Sequence, residues 1–221
     1  MHAQVSQDAQ PTPEHGATVF VVDDDASVRR SMTRLLRSAG WNAEAFASAG
    51  DLLEQAPLTG PGCVLLDVNM PGMTGLELQA RMAEAGIPMP VVFLTGKGDI
   101  PMSVQAMKHG AVDFLVKPVA EDVLFQALEQ AIRRQAVEAA GRRQRDSILA
   151  RLALLSDRER EVLEQVIKGR LNKQIAYDLG IVEKTVKAHR GRIMEKMAAH
   201  TIAELVHLCD MVGIDFSRPA G

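Results

Sequence analysis

Four carboxylates, one threonine and one lysine in the first half of the chain sit where chemistry can be done. Asp23, Asp24 and Asp25 follow an apolar run directly, and Asp67 follows another (Cys63-Val64-Leu65-Leu66). Thr95 ends a third such run and Lys117 a fourth. Oxygen-only ligands with open positions suit Mg²⁺, which keeps waters and favours a phosphate as its remaining partner. Crowded carboxylates raise one another's pKa unless a cation is present. Lysine supplies a fixed positive charge, and threonine a hydroxyl able to donate to a phosphoryl oxygen. A carboxylate nucleophile, a metal and two groups for the transferred phosphoryl are the equipment for phosphoryl transfer to aspartate. Alone, each has a bland reading: Asp25 is the N-cap of the helix that follows, and a single lysine is usually a solvated charge.

These residues need a scaffold that brings strand ends together. Val19–Val22, Ala43–Phe46, Cys63–Leu66, Val91–Leu94 and Phe114–Val116 read as short buried strands bounded by turn residues. Amphipathic stretches separate them. Val28, Met32, Leu35 and Leu36 mark one helix that stops at Gly40; Leu76 and Met82 anchor another, and Val104 and Met107 the next, ended by Gly110. Five strands alternating with helices predict βαβ units and a parallel sheet. In strand order 2-1-3-4-5, the first and third strands meet where the order reverses, and ligands bind beyond the carboxyl ends there. Asp23, Asp24 and Asp67 then crowd one mouth.

From Ala120 to about Ala153 the sequence is helical in composition, with a polar middle from Arg133 to Arg145 that suits an exposed connector. Beyond it no strand-like run occurs. Ser156-Asp157-Arg158-Glu159 is a capping box, Asn172–Leu179 a short helix closed by Gly180, then Glu183–Met197 and Ile202–Met211. The expected organisation is a disordered tail over 1–17, an α/β domain over 18–134, a linker helix over 135–153, an all-α four-helix domain over 154–212, and a tail over 213–221.

The net charge of −3 hides an asymmetry. Between Ala17 and Arg134 there are 14 acidic against 10 basic residues, whereas Arg170–Lys196 carries seven basic against three acidic. A basic, helical second half points to nucleic acid, although a solvated basic face on a protein-interaction domain has the same composition. The two segments Asn172–Leu179 and Glu183–Met197, joined by a tight turn, have the build of a helix-turn-helix, whose second helix enters the major groove. On a 100° wheel Val186, Ile193 and Met197 form the core side. Lys184, Ala188, Gly191 and Glu195 lie opposite, flanked by Lys187 and Arg192; Arg190 falls near the core side. Small residues at Ala188 and Gly191 would let the helix axis approach the groove floor, and Gly191 costs about 1 kcal/mol of helix stability relative to alanine. Neither Cys63 nor Cys209 has metal-ligand spacing, and Cys63 is expected buried and reduced. No apolar run reaches membrane-spanning length and the first residues lack a signal-peptide pattern, so a cytoplasmic location and no membrane partner are expected.

Val21-Val22-Asp23-Asp24-Asp25, Leu66-Asp67-Val68-Asn69-Met70-Pro71-Gly72-Met73-Thr74-Gly75, Leu94-Thr95-Gly96 and Phe114-Leu115-Val116-Lys117-Pro118 resemble the receiver motifs of two-component response regulators. Leu155-Ser156-Asp157-Arg158-Glu159, Asn172-Lys173-Gln174-Ile175-Ala176 and Lys184-Thr185-Val186-Lys187-Ala188-His189-Arg190 resemble the LuxR-type helix-turn-helix. Together they identify the chain as a member of the NarL/FixJ family, with Gly98–Phe114 similar to the FixJ branch. The resemblance implies a flavodoxin-like receiver in which Asp67 accepts phosphate from a sensor histidine kinase. Asp23, Asp24, Asp67 and the backbone carbonyl of Asn69 would hold Mg²⁺. Thr95 and Phe114 would be the switch pair, Lys117 the phosphate-contacting lysine, and Lys117–Pro118 a cis bond. It implies double-stranded DNA as a ligand of Asn172, Lys173, Lys184, Thr185, Lys187, Ala188, Gly191 and Arg192. A phosphorylation-dependent homodimer and RNA polymerase are the further partners it implies, and the receiver would promote only its own phosphorylation and dephosphorylation. The chain departs from the family at Asn69 and His200, where basic residues are common, and at Lys97, where histidine is common. Two other readings stay open on the residues alone. Asp23-Asp24-Asp25 contains the Asp-x-Asp of a haloacid-dehalogenase-type phosphatase, and the basic domain fits a partner-binding adaptor without DNA contact.

Overall fold

The computed structural model describes residues 16–96 and 100–214. Most of the N-terminal tail, Lys97 and the last seven residues lie outside the described residues. The chain divides into two units, Met1–Glu138 and Ala139–Gly221.

In the first unit, strands β1 (Thr18–Val22), β2 (Asn42–Phe46), β3 (Gly62–Leu66), β4 (Val91–Thr95) and β5 (Asp113–Val116) form one sheet in the order β2-β1-β3-β4-β5. Every pairing is parallel, with Val22 level with both Phe46 and Leu66, and Thr95 with Val116. Side chains alternate across a strand, so successive residues feed opposite layers. Val19 and Val21 pack with Leu36, Trp41, Leu128 and Ile132 on one side; Phe20 and Val22 pack with Leu52, Leu78, Met82 and Phe93 on the other.

The helices cover those layers. Helix α1 (Ala26–Ser38) is capped by Asp25, whose carboxylate accepts from the Ser27 and Val28 amides, and Gly40 takes a positive φ of 85° just beyond its end. Helices α2 (Ala49–Glu54), α3 (Gly75–Glu84) and α4 (Ile100–Lys108) follow. In α3 the large apolar side chains that are buried are Leu78 and Met82, one turn apart, while Leu76 is half-buried. In α4 the expected anchors are reversed. Val104 and Met107 are 46% and 47% exposed, and the helix is held by fully buried Ala106 with Met102 behind it. A four-residue spacing sets that inner face, and the larger apolar residues stand on the other side of the helix.

Helix α5 (Glu121–Ala153) runs 33 residues without a break, and the division between the two units falls inside it. Leu124, Leu128 and Ile132 belong to the first core. Ile148 and Leu152 belong to the second, with residues of α6 (Asp157–Ile167), α7 (Asn172–Asp178), α8 (Glu183–Met197) and α9 (Ile202–Met211). The capping box is present: the Glu159 amide donates to Ser156 Oγ and the Ser156 amide to Glu159 Oε2. No described helix is long and apolar enough to cross a membrane.

Candidate functional site

The sheet order places the ends of β1 and β3 side by side, and the acids that follow them share one pocket. Asp23 and Asp67 are both buried, and Lys117, reaching over from the end of β5, bonds both. Its Nζ lies 2.6 Å from Asp23 Oδ2 and 3.1 Å from Asp67 Oδ1. The Lys117–Pro118 bond is cis, as is Ala56–Pro57. Thr95 is fully buried at the end of β4 and accepts from the Asn69 side-chain amide at 3.3 Å. The Asn69 backbone amide donates to Asp67 Oδ2 at 2.7 Å. Phe114 is half-buried, its ring centroid 5.9 Å from that of Phe93.

Asp24 stands apart from the expected trio. It is exposed, and among the described residues no three His, Cys, Asp or Glu side chains gather closely enough to hold a metal by themselves. The crowd of three acids is thus a buried pair bridged by an ammonium, with a third acid in solvent beside it. The electrostatics follow from that. Burial pushes the Asp67 carboxyl above the ordinary carboxylate range; Lys117 and the Asn69 amide pull against it, and the charge on Asp23 adds only a small further rise. Desolvation rather than repulsion between acids therefore dominates. Burial also works against the Lys117 charge, but bonds and charges from Asp23 and Asp67 outweigh it and hold the ammonium above its usual range.

Three supporting contacts had no signal strong enough to single them out in the sequence. Arg29 Nη1 donates to the Asp23 carbonyl at 2.6 Å, fixing the end of β1 from α1. The Asn69 side chain reaches Thr95, although it was notable only as a departure from family pattern. A Cβ at Gly75 would stand 2.3 Å from the Asp67 carbonyl oxygen, so only glycine lets α3 start this close to the Asp67 loop. Gly75 was visible as part of a motif; its spatial neighbour was not.

In the second unit the α8 wheel holds. Val186, Ile193 and Met197 are buried; Lys184, Lys187, Ala188, Gly191 and Arg192 are exposed, and Thr185 is half-buried. Nothing lies within 4 Å of a Cβ built on Gly191, so no internal packing calls for its small size. Arg190 turns inward, its Nη1 3.0 Å from Asn172 Oδ1. That bond ties the start of α7 to α8 and engages Asn172, one of the expected contacts. Lys173 beside it is exposed.

Comparison with known proteins matches both halves. The response regulator receiver domain model covers residues 19–129, and the model for bacterial regulatory proteins of the luxR family covers 153–209. The chain belongs to the NarL/FixJ family of response regulators. Nodulation protein W of Bradyrhizobium diazoefficiens is 43% identical over 198 residues, 90% of this chain and 87% of the relative. Transcriptional regulatory protein FixJ of the same organism is 43% identical over 196 residues, 89% and 96% of the two chains. Among solved structures, response regulator StyR matches with a TM-score of 0.80 and 46% identity over 88% of this chain and 98% of that one.

As a response regulator the chain is a two-component transcriptional regulator, with a receiver joined to a LuxR-type DNA-binding domain. A receiver implies a sensor kinase as partner, and the luxR-family domain implies DNA binding. The phosphatase reading finds no support: Glu121 and Asp122, its nearest acidic pair, open α5, where acidic side chains complement the helix dipole.

Proposed function

We propose that Asp67 is the phosphoacceptor and that its phosphorylation by a histidine kinase switches sequence-specific DNA binding by the second unit. The observation that carries this reading is the Lys117 ammonium placed between Asp23 and Asp67, a pocket shaped to hold positive charge against two buried carboxylates. The donor set fits Mg²⁺, since all its atoms are oxygens and the pair already accommodates a cation. Asp23, Asp24, Asp67 and the Asn69 carbonyl would hold the ion, which when bound would neutralise carboxylate and phosphoryl oxygens.

The chain's own residues account for the rest. An Asp67 carboxylate oxygen attacks phosphorus, forming an acyl phosphate as the bond to the donor group breaks. Lys117 moves its contact from Asp67 to a phosphoryl oxygen, a stronger partner for its charge. The Thr95 hydroxyl turns toward the same group, and Phe114 packs into the space beside β4. That repacks the surface around α4 and β5, where Ile100, Val104, Met107 and Val116 are exposed in the state described. A second copy of the chain covers this apolar face, and the dimer reads two half-sites about a helical turn, or multiples of it, apart. Domain limits of 18–134 and 154–212, joined by a linker helix over 135–153, suit this arrangement. RNA polymerase is then a partner at the promoter, and the cytoplasm the location. Footprinting of duplex DNA with and without acetyl phosphate tests the reading: protection should appear at lower protein concentration after phosphorylation, and identical protection would oppose it.

A further inference from the structure

Outside the acid pocket, the receiver carries an uncompensated cluster of positive charge. Arg29, Arg30, Arg34 and Arg37 lie within nine residues of α1 and line, with Ala26, Thr33 and Ala45, a cavity of about 410 Å³ between that helix and the edge strand β2. None of the four guanidinium groups pairs with a carboxylate among the described residues. Arg29 and Arg37 instead donate to the backbone carbonyls of Asp23 and Ala43, at 2.6 and 2.8 Å, which fixes both ends of the cluster. Arg30 and Arg34 are exposed and bond no side chain or backbone group among the described residues. Glu44 on β2 is close in sequence to Ala45 yet forms no ion pair with them. This happens in a half of the chain whose formal charge is −4, counting 14 acids against 10 bases.

Four like charges on little more than two turns of helix repel one another, most directly Arg30 and Arg34 at i,i+4 and Arg34 and Arg37 at i,i+3. A bound anion removes that repulsion. We infer that this cleft binds a compact, multiply charged phosphate compound.

The form of the cleft selects this class. It is an open cleft, and its volume of about 410 Å³ falls within the range of small-ligand sites. Guanidinium groups fixed by backbone bonds present preorganised forks to phosphate oxygens. The remaining wall is Ala26, Thr33 and Ala45, and no aromatic ring lines the cavity, so a nucleobase has nothing to stack on. The ligand is therefore recognised by charge and size, and its phosphates can sit against Arg30 and Arg34 while Arg29 and Arg37 hold the ends. Arg29 also bonds the backbone of Asp23, so a ligand on this face is one side chain away from the acid pocket.

Titration calorimetry of the full chain with tripolyphosphate tests this, in magnesium-free buffer at fixed ionic strength. Saturable binding is expected, weakened about tenfold in Arg30→Ala/Arg34→Ala, the loss of two charge-assisted contacts. Neither residue belongs to the acid pocket, so acetyl phosphate labelling should persist in this variant and confirms that the receiver is folded. Lys184→Ala/Lys187→Ala should bind tripolyphosphate as the parent does. No saturable binding overturns the inference and leaves the stripe to a larger acidic surface. Binding lost in the Lys184/Lys187 variant but kept in the Arg30/Arg34 variant overturns it too, by placing the anion in the second unit.

Discussion

Lys196 Nζ stands 2.7 Å from Oε2 of Glu159, joining the end of α8 to the start of α6 across the core of the second unit. Glu159 is 3% exposed, and its second task is the capping box with Ser156. Lys196 with the Ser156 amide holds the Glu159 carboxyl down at about 2. A carboxylate lowered on folding stabilises above its unfolded pKa, and that stability is lost as pH falls toward the folded value. The hydrogen-exchange protection factors of the α6 and α8 amides, corrected for the intrinsic rate at each pH, should therefore fall between about pH 4.5 and pH 2. Glu159→Gln should remove this pH dependence and cost about 1–2 kcal/mol at neutral pH, the smaller end reflecting solvent at half-exposed Lys196.

Gly75 is expected to tolerate no side chain. In Gly75→Ala the new methyl meets the Asp67 backbone, which has no flexible end to move aside. Urea unfolding should show a loss of about 1–3 kcal/mol. Acetyl phosphate labelling should slow as well, because the displaced loop carries the acceptor. Unchanged stability would mean that α3 can shift away from the loop without penalty.

Thr95→Val keeps the shape of a fully buried residue and removes its hydroxyl. Labelling of Asp67 should persist, while the phosphorylation-dependent dimer seen by sedimentation should be lost. A variant that is labelled and dimerises as the parent does would take Thr95 out of the switch.

Lys187→Ala and Arg190→Ala should separate contact from support. Lys187 is exposed on α8, and its loss should weaken duplex binding and flatten the log-log salt slope by about one. Arg190 bonds Asn172 within the domain, so its loss should lower stability, with weaker binding as a consequence. Equal stability with a flattened slope in Arg190→Ala would make it a phosphate contact instead.

Which parts of this were legible in the sequence follows from the range of the interactions. Local patterns carried far: Asp25 as a cap, Ser156–Glu159 as a capping box and the inward face of α8 all depend on neighbours within two turns. The parallel sheet followed from the alternation of strands and helices, and its order from the resemblance to a flavodoxin-like receiver. The α4 anchors did not, because Val104 and Met107 are apolar yet exposed, and hydrophobicity alone does not tell a core face from an exposed apolar one. At the acid pocket the residue types were readable and the pairings were not. That Lys117 bridges two acids, that Asp24 stays outside and that Arg29 and Gly75 brace the strand ends are contacts across 6 to 94 positions of sequence.

The most direct measurement is the site of labelling by acetyl phosphate, mapped by peptide mass spectrometry in the parent chain and in Asp67→Asn. One phosphoryl group on the peptide containing Asp67, absent from the variant, is the predicted result. Undiminished labelling of Asp67→Asn at another residue would contradict the assignment of Asp67 as acceptor.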